Sequence, residues 1–197
     1  MKLPEGWEIK TLKEISLDMH QGINTVTDKI KYQLTGKYII QSKHITKGFL
    51  DLSDARLVTS KDYYSYKEKY NPQVGDLLFC NIGTIGSSIV IKKKEEFLIA
   101  WNLFLIKLNK RIVDPHYIKF FLDKLNSINY FDRFLTGGTV KFINKTKMGS
   151  IKIPVPPLET QKQIVSLLEK VENSKEWRKE ADELTKDFLK SVFFEMF

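Results

Sequence analysis

From Leu158 to Phe197 the chain reads LETQKQIVSLLEKVENSKEWRKEADELTKDFLKSVFFEMF, with no Gly or Pro anywhere in the run. Ile164, Leu167, Leu168, Val171, Trp177, Ala181, Leu184, Phe188 and Val192 recur at intervals of three and four, broken by one interval of six, which is the spacing of a helix with an apolar stripe. One helix from Thr160 onward would extend about 57 Å at ~1.5 Å per residue. That exceeds what a compact domain can cover. Most helix stability in water comes from packing such a stripe, so it must meet either its own domain or a partner helix. Its length favours the partner. Glu172-Asn-Ser-Lys-Glu176 fills the six-residue gap and is either a register-setting polar run or a solvated bend.

Upstream, the sequence mixes strand and helix signals. Ile151-Lys-Ile-Pro-Val-Pro-Pro157 alternates like a strand and is ended by prolines. The stretches at Tyr38, Leu77, Ser88 and Phe104 are short, β-prone and punctuated by Gly, Asn and Lys. Gly83-Thr-Ile-Gly86 reads as a hairpin turn between two of them. Asp114-Pro-His-Tyr-Ile-Lys-Phe-Phe-Leu places a cap residue before a first-turn proline and predicts an amphipathic helix, extended through Phe131 and Phe134. Thr11-Leu-Lys-Glu14 has a capping-box pattern and predicts a short helix. The expectation is an α+β protein: one globular domain over residues 1–157, with mixed β-sheet and short helices, then a long coiled-coil helix over 158–197.

Charge separates along the same boundary. The net charge is +8, yet the stretch from Leu158 carries seven Lys+Arg against nine Asp+Glu, leaving 25 against 15, net +10, on residues 1–157. A basic globular part attracts polyanions, although a lysine-rich background gives the same excess. No run approaches the ~18 apolar residues of a membrane span. The Met1-Lys-Leu-Pro start lacks the apolar run of a signal peptide, and the lone Cys80 fits a reducing cytoplasm, the expected location.

Catalytic signatures are missing. His20, His44 and His116 lie in no metal-ligand spacing with Cys80, so neither a metal site nor a cofactor is expected. There is no P-loop, G-x-S-x-G or G-x-G-x-x-G. Asn71-Pro-Gln-Val lacks the second proline and the aromatic of an adenine methyltransferase motif. Glu8-Ile-Lys10 matches half of a nuclease pattern without its acidic partner. No enzyme is expected.

Several segments in order resemble the DNA-specificity subunits of type I restriction-modification systems. They are Leu3-Pro-Glu-Gly-Trp7, Tyr38-Ile-Ile-Gln-Ser-Lys-His-Ile-Thr-Lys-Gly48, Val74-Gly-Asp-Leu-Leu-Phe-Cys-Asn-Ile-Gly-Thr-Ile-Gly86, Gly137-Gly-Thr-Val-Lys-Phe-Ile-Asn144, and Ile151 to Ile164 followed by the long helix. The family often has Glu where this chain has Thr160. The resemblance covers nearly the whole chain, but once, whereas full-length members carry two recognition domains and two antiparallel helices. It therefore implies a half-size subunit that homodimerises through the helix to read an interrupted inverted repeat. It also implies two partner subunits, a methyltransferase using S-adenosylmethionine and an ATP-driven restriction translocase, whose cofactors would not bind here.

A recognition domain needs phosphate contacts for register and fixed donors and acceptors for base edges. Three loops offer them. The candidates are Gln21, Asn24, Thr25, Lys29 and Lys31; Lys43, His44 and Lys47; and Thr139, Lys141, Asn144, Lys145 and Lys147. Each is equally readable as part of a solvated loop. Gly137-Gly138 either lets the backbone approach a phosphate or makes an ordinary turn. Trp7 and Trp101 read as core. The dimerisation candidates are Ile164, Leu168, Val171, Trp177, Ala181, Leu184 and Phe188. The competing function is a general single-stranded DNA or RNA-binding module, which would depend on base stacking.

Overall fold

Alternating side chains within four apolar strands produce the layers of this molecule. The structure, a computed structural model, describes residues 3–196. Its elements are β1 (Glu8–Thr11), β2 (Ser16–Gln21), β3 (Lys37–Ile40), β4 (Arg56–Val58), α1 (Ser60–Tyr70), β5 (Leu77–Cys80), β6 (Ser88–Val90), β7 (Phe97–Ile99), β8 (Leu103–Leu108), α2 (Pro115–Ser127), α3 (Lys145–Gly149), β9 (Lys152–Val155) and α4 (Leu158–Met196). A four-stranded antiparallel sheet has the order β2-β8-β5-β6, and a three-stranded sheet the order β4-β3-β7 with β3 and β7 parallel. A ribbon of β1 and β9 joins the start of the domain to the root of α4.

On β5, Leu77 and Phe79 face one core while Leu78 and Cys80 face the other; on β8, Phe104 and Ile106 oppose Leu103 and Leu105 in the same way. The first core lies beneath α2, which contributes Tyr117, Ile118, Leu122 and Leu125. The second is shared with Ile40 of β3 and with Phe97 and Ile99 of β7, so it fills the space between the sheets. Ile39 and Leu98 turn the other way to a third core holding Tyr63 of α1. The stack is therefore α2, sheet, sheet, α1, an α+β fold. Each fully buried Phe or Leu stabilises it by about 1.5–3 kcal/mol.

Local chemistry explains most boundaries. Asp114 accepts from the His116 amide ahead of Pro115 and starts α2 as its sequence predicts. The helix does not continue through Phe134: Asn129 adopts φ 53° and a separate 3-10 turn carries Phe131 into the core. The expected helix after Thr11 is also absent. Thr11 and Glu14 do make the reciprocal capping bonds, but residues 12–15 form only a turn, because β2 begins at Ser16. Among the described residues, no helix is long and apolar enough to cross a membrane.

The long helix resolves into two parts. Val165 is buried, and Ile164 packs against the core under α2. Ile164 is thereby corrected from a dimerisation residue to a docking residue, and the half-buried Leu168 shares that face. Past Glu172 the outlook changes: Trp177, Leu184 and Phe188 are 68%, 64% and 65% exposed. The interval from Val171 to Trp177 shifts the stripe around the helix. At about 100° per residue, Trp177, Ala181, Leu184 and Phe188 lie roughly 160° from Gln161, Val165 and Leu168. One face grips the domain and the opposite face stands clear of it.

Candidate nucleic-acid interface

The three loops singled out in the sequence start from neighbouring strand ends. β2 ends at Gln21, whose Nε2 donates to the Trp101 carbonyl at 3.0 Å. Gly22 then passes so close to β7 that a Cβ would stand 2.2 Å from the Ile99 carbonyl oxygen, which is why only glycine fits there. Ile23 exchanges backbone bonds with Ile99 and Trp101. The loop after β3 is held by Asn102, whose Nδ2 donates to Ser42 Oγ at 3.0 Å. The third loop is anchored by the Ile143 amide donating to the Asn81 carbonyl at 3.0 Å and by bridging of Ile82 with Phe142. Segments 81–83 and 100–102 thus gather all three loops on one edge.

The third loop has an exposed tip. Thr136 and Phe142 close its neck with two 2.9 Å backbone bonds, Gly137 adopts φ 94°, and residues 138–141 are all exposed, Val140 included at 57%. Thr139 and Lys141 sit at this tip. Lys29, Lys31, Lys141 and Lys145 are exposed and carry no side-chain partner among the described residues. Lys43 pairs with Asp54, and Lys47 with Asp51 at 2.8 Å. Both remain exposed, but their charge is largely answered within the domain.

Other candidates play positioning roles. Asn24 Oδ1 accepts from the amides of Val26 and Thr27, shaping the first loop, beside the half-buried Thr25. Asn144 caps α3 by accepting from the Lys147 amide at 2.9 Å. Lys145 and the half-buried Lys147 ride on α3, whose Gly149 packs toward Lys13 and Met19, so they lie along the flank of β2 rather than at the loop tips. His44 is corrected outright. It is 2% exposed, its Nδ1 accepts from the Gln41 amide at 2.8 Å, and Nε2 lies 3.1 Å from Asp54 Oδ1. Burial, more than the opposing pull of Asp54, holds its imidazole below the ordinary value. It shapes the loop from beneath and does not reach the surface.

Sequence reasoning missed three residues here. Trp101, expected in the core, is 42% exposed beside Gln21. Asn81 is wholly buried, yet neither atom of its carboxamide has a partner among the described residues, and Asn102 Oδ1 is likewise unpartnered. The signal was present as a polar residue directly after the apolar run Leu77-Leu-Phe-Cys80. Burial pushes the adjacent Cys80 thiol up to about 12, so it stays protonated and inert at neutral pH. Among the described residues, no group of three or more His, Cys, Asp or Glu side chains is arranged to hold a metal ion.

Comparison with known proteins places these features in a lineage. The family model described as the type I restriction modification DNA specificity domain matches residues 4–185. The type I restriction enzyme MjaX specificity subunit of Methanocaldococcus jannaschii is 32% identical over 180 residues, covering 87% of this chain and 41% of that protein. The StySPI specificity subunit of Salmonella potsdam is 24% identical over 202 residues, covering 97% and 42%. The chain therefore spans about two fifths of the length of these relatives. Among solved structures, a chain from a study of assembly and conformational transition in the type I R-M system superposes with a TM-score of 0.71 at 21% identity, covering 98% of this chain and 45% of that one. The HsdS subunit from Thermoanaerobacter tengcongensis gives 0.63 at 20% identity, covering 88% and 39%. With a family match over nearly its whole length and the same fold in these neighbours, the chain belongs to the family of type I restriction-modification DNA specificity domains.

Proposed function

We propose that this chain recognises a duplex DNA sequence through the loops at 21–31, 41–47 and 136–147, and that it works as a homodimer assembled through α4. Residues 1–157 act as the target-recognition domain and residues 158–197 as the assembly helix. The observation that carries the reading is the division of α4: one face is docked on the domain, and the opposite face offers Trp177, Ala181, Leu184 and Phe188 with nothing of its own domain to cover them. Two such helices packed antiparallel obey a two-fold axis and set the recognition domains apart. Each domain then reads one half of an interrupted inverted repeat, because a two-fold protein imposes its symmetry on the site. The kinship supports methyltransferase and restriction subunits as partners, with the chemistry carried by them and the address by this chain. Light scattering of the purified protein and selection from a randomised duplex library test the proposal together. A dimer that enriches two inverted half-sites is expected. A monomer at high concentration, an asymmetric site, or tighter binding to single strands than to duplex would overturn it.

A further inference from the structure

The root of α4 is held by two polar contacts about three helical turns apart. Gln161 is wholly buried. Its Oε1 accepts from the Asp114 amide at 2.8 Å, and its Nε2 donates to the carbonyls of Ile112 at 3.0 Å and Pro156 at 2.8 Å. One side chain thus ties the first turn of α4 to the cap of α2 and to the proline turn after β9. Further along, Lys119 of α2 reaches Glu172 at 3.5 Å while also pairing with Asp123 at 2.9 Å, and Ser88 Oγ donates to Asp123 at 3.3 Å. Gln161, Val165, Leu168 and Glu172 fall on one face of the helix, with the buried Val165 and the half-buried Leu168 lying between the two polar pins. Two separated pins fix the direction of a rod, not merely its attachment.

We infer that Gln161 and the Lys119–Glu172 pair are positioning residues that set the angle at which α4 leaves the recognition domain, and hence the number of unread base pairs between the two half-sites. From Glu172 to Met196 the helix runs on for about 36 Å at ~1.5 Å per residue. A tilt of ~5° at the root swings its far end sideways by ~3 Å, so two recognition domains joined through the paired helices are offset from one another by a distance comparable to the ~3.4 Å advance of one base pair along a strand. The two-fold axis doubles the displacement. A buried glutamine with all three of its bonds satisfied suits this role better than apolar packing alone, because hydrogen bonds are directional whereas the hydrophobic contact of Val165 and Leu168 tolerates sliding.

The inference rests on the paired-helix reading, and its test separates the two. Wild type, Gln161→Ala and Glu172→Ala are each used to select duplexes from a randomised library, and the spacer lengths among bound sequences are counted. Wild type should enrich one spacer by roughly tenfold over its neighbours, while both variants keep the same half-site sequence and spread over adjacent spacers with that preference cut to about threefold or less. Glu172 lies on the surface and its replacement spares the core, so it decides the matter if Gln161→Ala does not fold. Variants that retain half-site binding and the wild-type spacer, whatever their melting temperature, overturn the inference and leave the dimer standing. A wild type that selects one contiguous site overturns both.

Discussion

His44 and Asn81 are both buried beneath the loop edge, His44 with a side-chain hydrogen bond and Asn81 anchoring the third loop only through its backbone carbonyl. The native fold disfavours the imidazolium of His44, chiefly through burial, whereas the unfolded chain binds that proton near 6.5. Stability from this residue is therefore complete above that value and declines as pH falls below it, levelling once the native value is passed. Thermal melts from about pH 7.5 to about pH 5.5 should show wild type losing more stability than His44→Gln; parallel curves would show that His44 is not desolvated. Asn81 offers a different test. Removing a hydrogen-bonded buried amide costs about 1–3 kcal/mol, whereas one without partners forfeits no bond on removal. Asn81→Ala is accordingly expected to cost under ~1 kcal/mol in urea unfolding, and a larger loss would mean that the amide is paired in solution. On the surface, replacing Lys31, Lys141 and Lys145 by alanine should weaken duplex binding and lower the slope of log K against log salt by roughly 0.9 for each phosphate no longer neutralised. The same change at Lys43 and Lys47, already paired with Asp54 and Asp51, should do less. Equal effects from both sets would misplace the binding face.

At the scale of elements, legibility followed period and punctuation. The strands β3, β5, β6 and β8 and the start of α2 could be read because apolar runs and a cap-proline pair are local signals. α1 could not: SKDYYSYKEKY buries only Tyr63, so it has almost no apolar stripe, and its helix rests on Thr59 capping Asp62 and on packing against β7. The over-extension of α2 came from continuing an apolar rhythm across Asn129, whose left-handed backbone breaks the helix without proline or glycine to announce it. The three polar loops were legible from composition as loops, but the roles of Asn24, Asn144 and His44 were not, since capping and burial depend on where the chain folds back. The six-residue gap in α4 reads from sequence as a register-setting run or a solvated bend; only the burial of Val165 against the exposure of Trp177, Leu184 and Phe188 reveals two faces, because an interval of six cannot keep a helical stripe in line.

The two faces of α4 lead to a prediction about the molecule as a whole. If the outer stripe is the dimer surface, Trp177, Leu184 and Phe188 are exposed in the monomer and buried only in the pair, so replacing all three with lysine removes association without touching the fold. That variant should melt near the wild-type temperature extrapolated to low protein concentration, scatter light as a monomer, and lose the concentration dependence of melting that a dimer shows. Ile164→Lys should behave in the opposite way, because that side chain packs against the core under α2, where an unpaired charge is costly. It should lower the melting temperature of the recognition domain at every concentration. DNA affinity separates the two further. A soluble monomer retains each half-site contact but loses the effective concentration that links two of them, so its affinity for the full site should fall by about 100-fold or more while its affinity for a single half-site is unchanged. A triple variant that remains dimeric, or one that binds the full site as tightly as wild type, would place the assembly surface elsewhere on the chain.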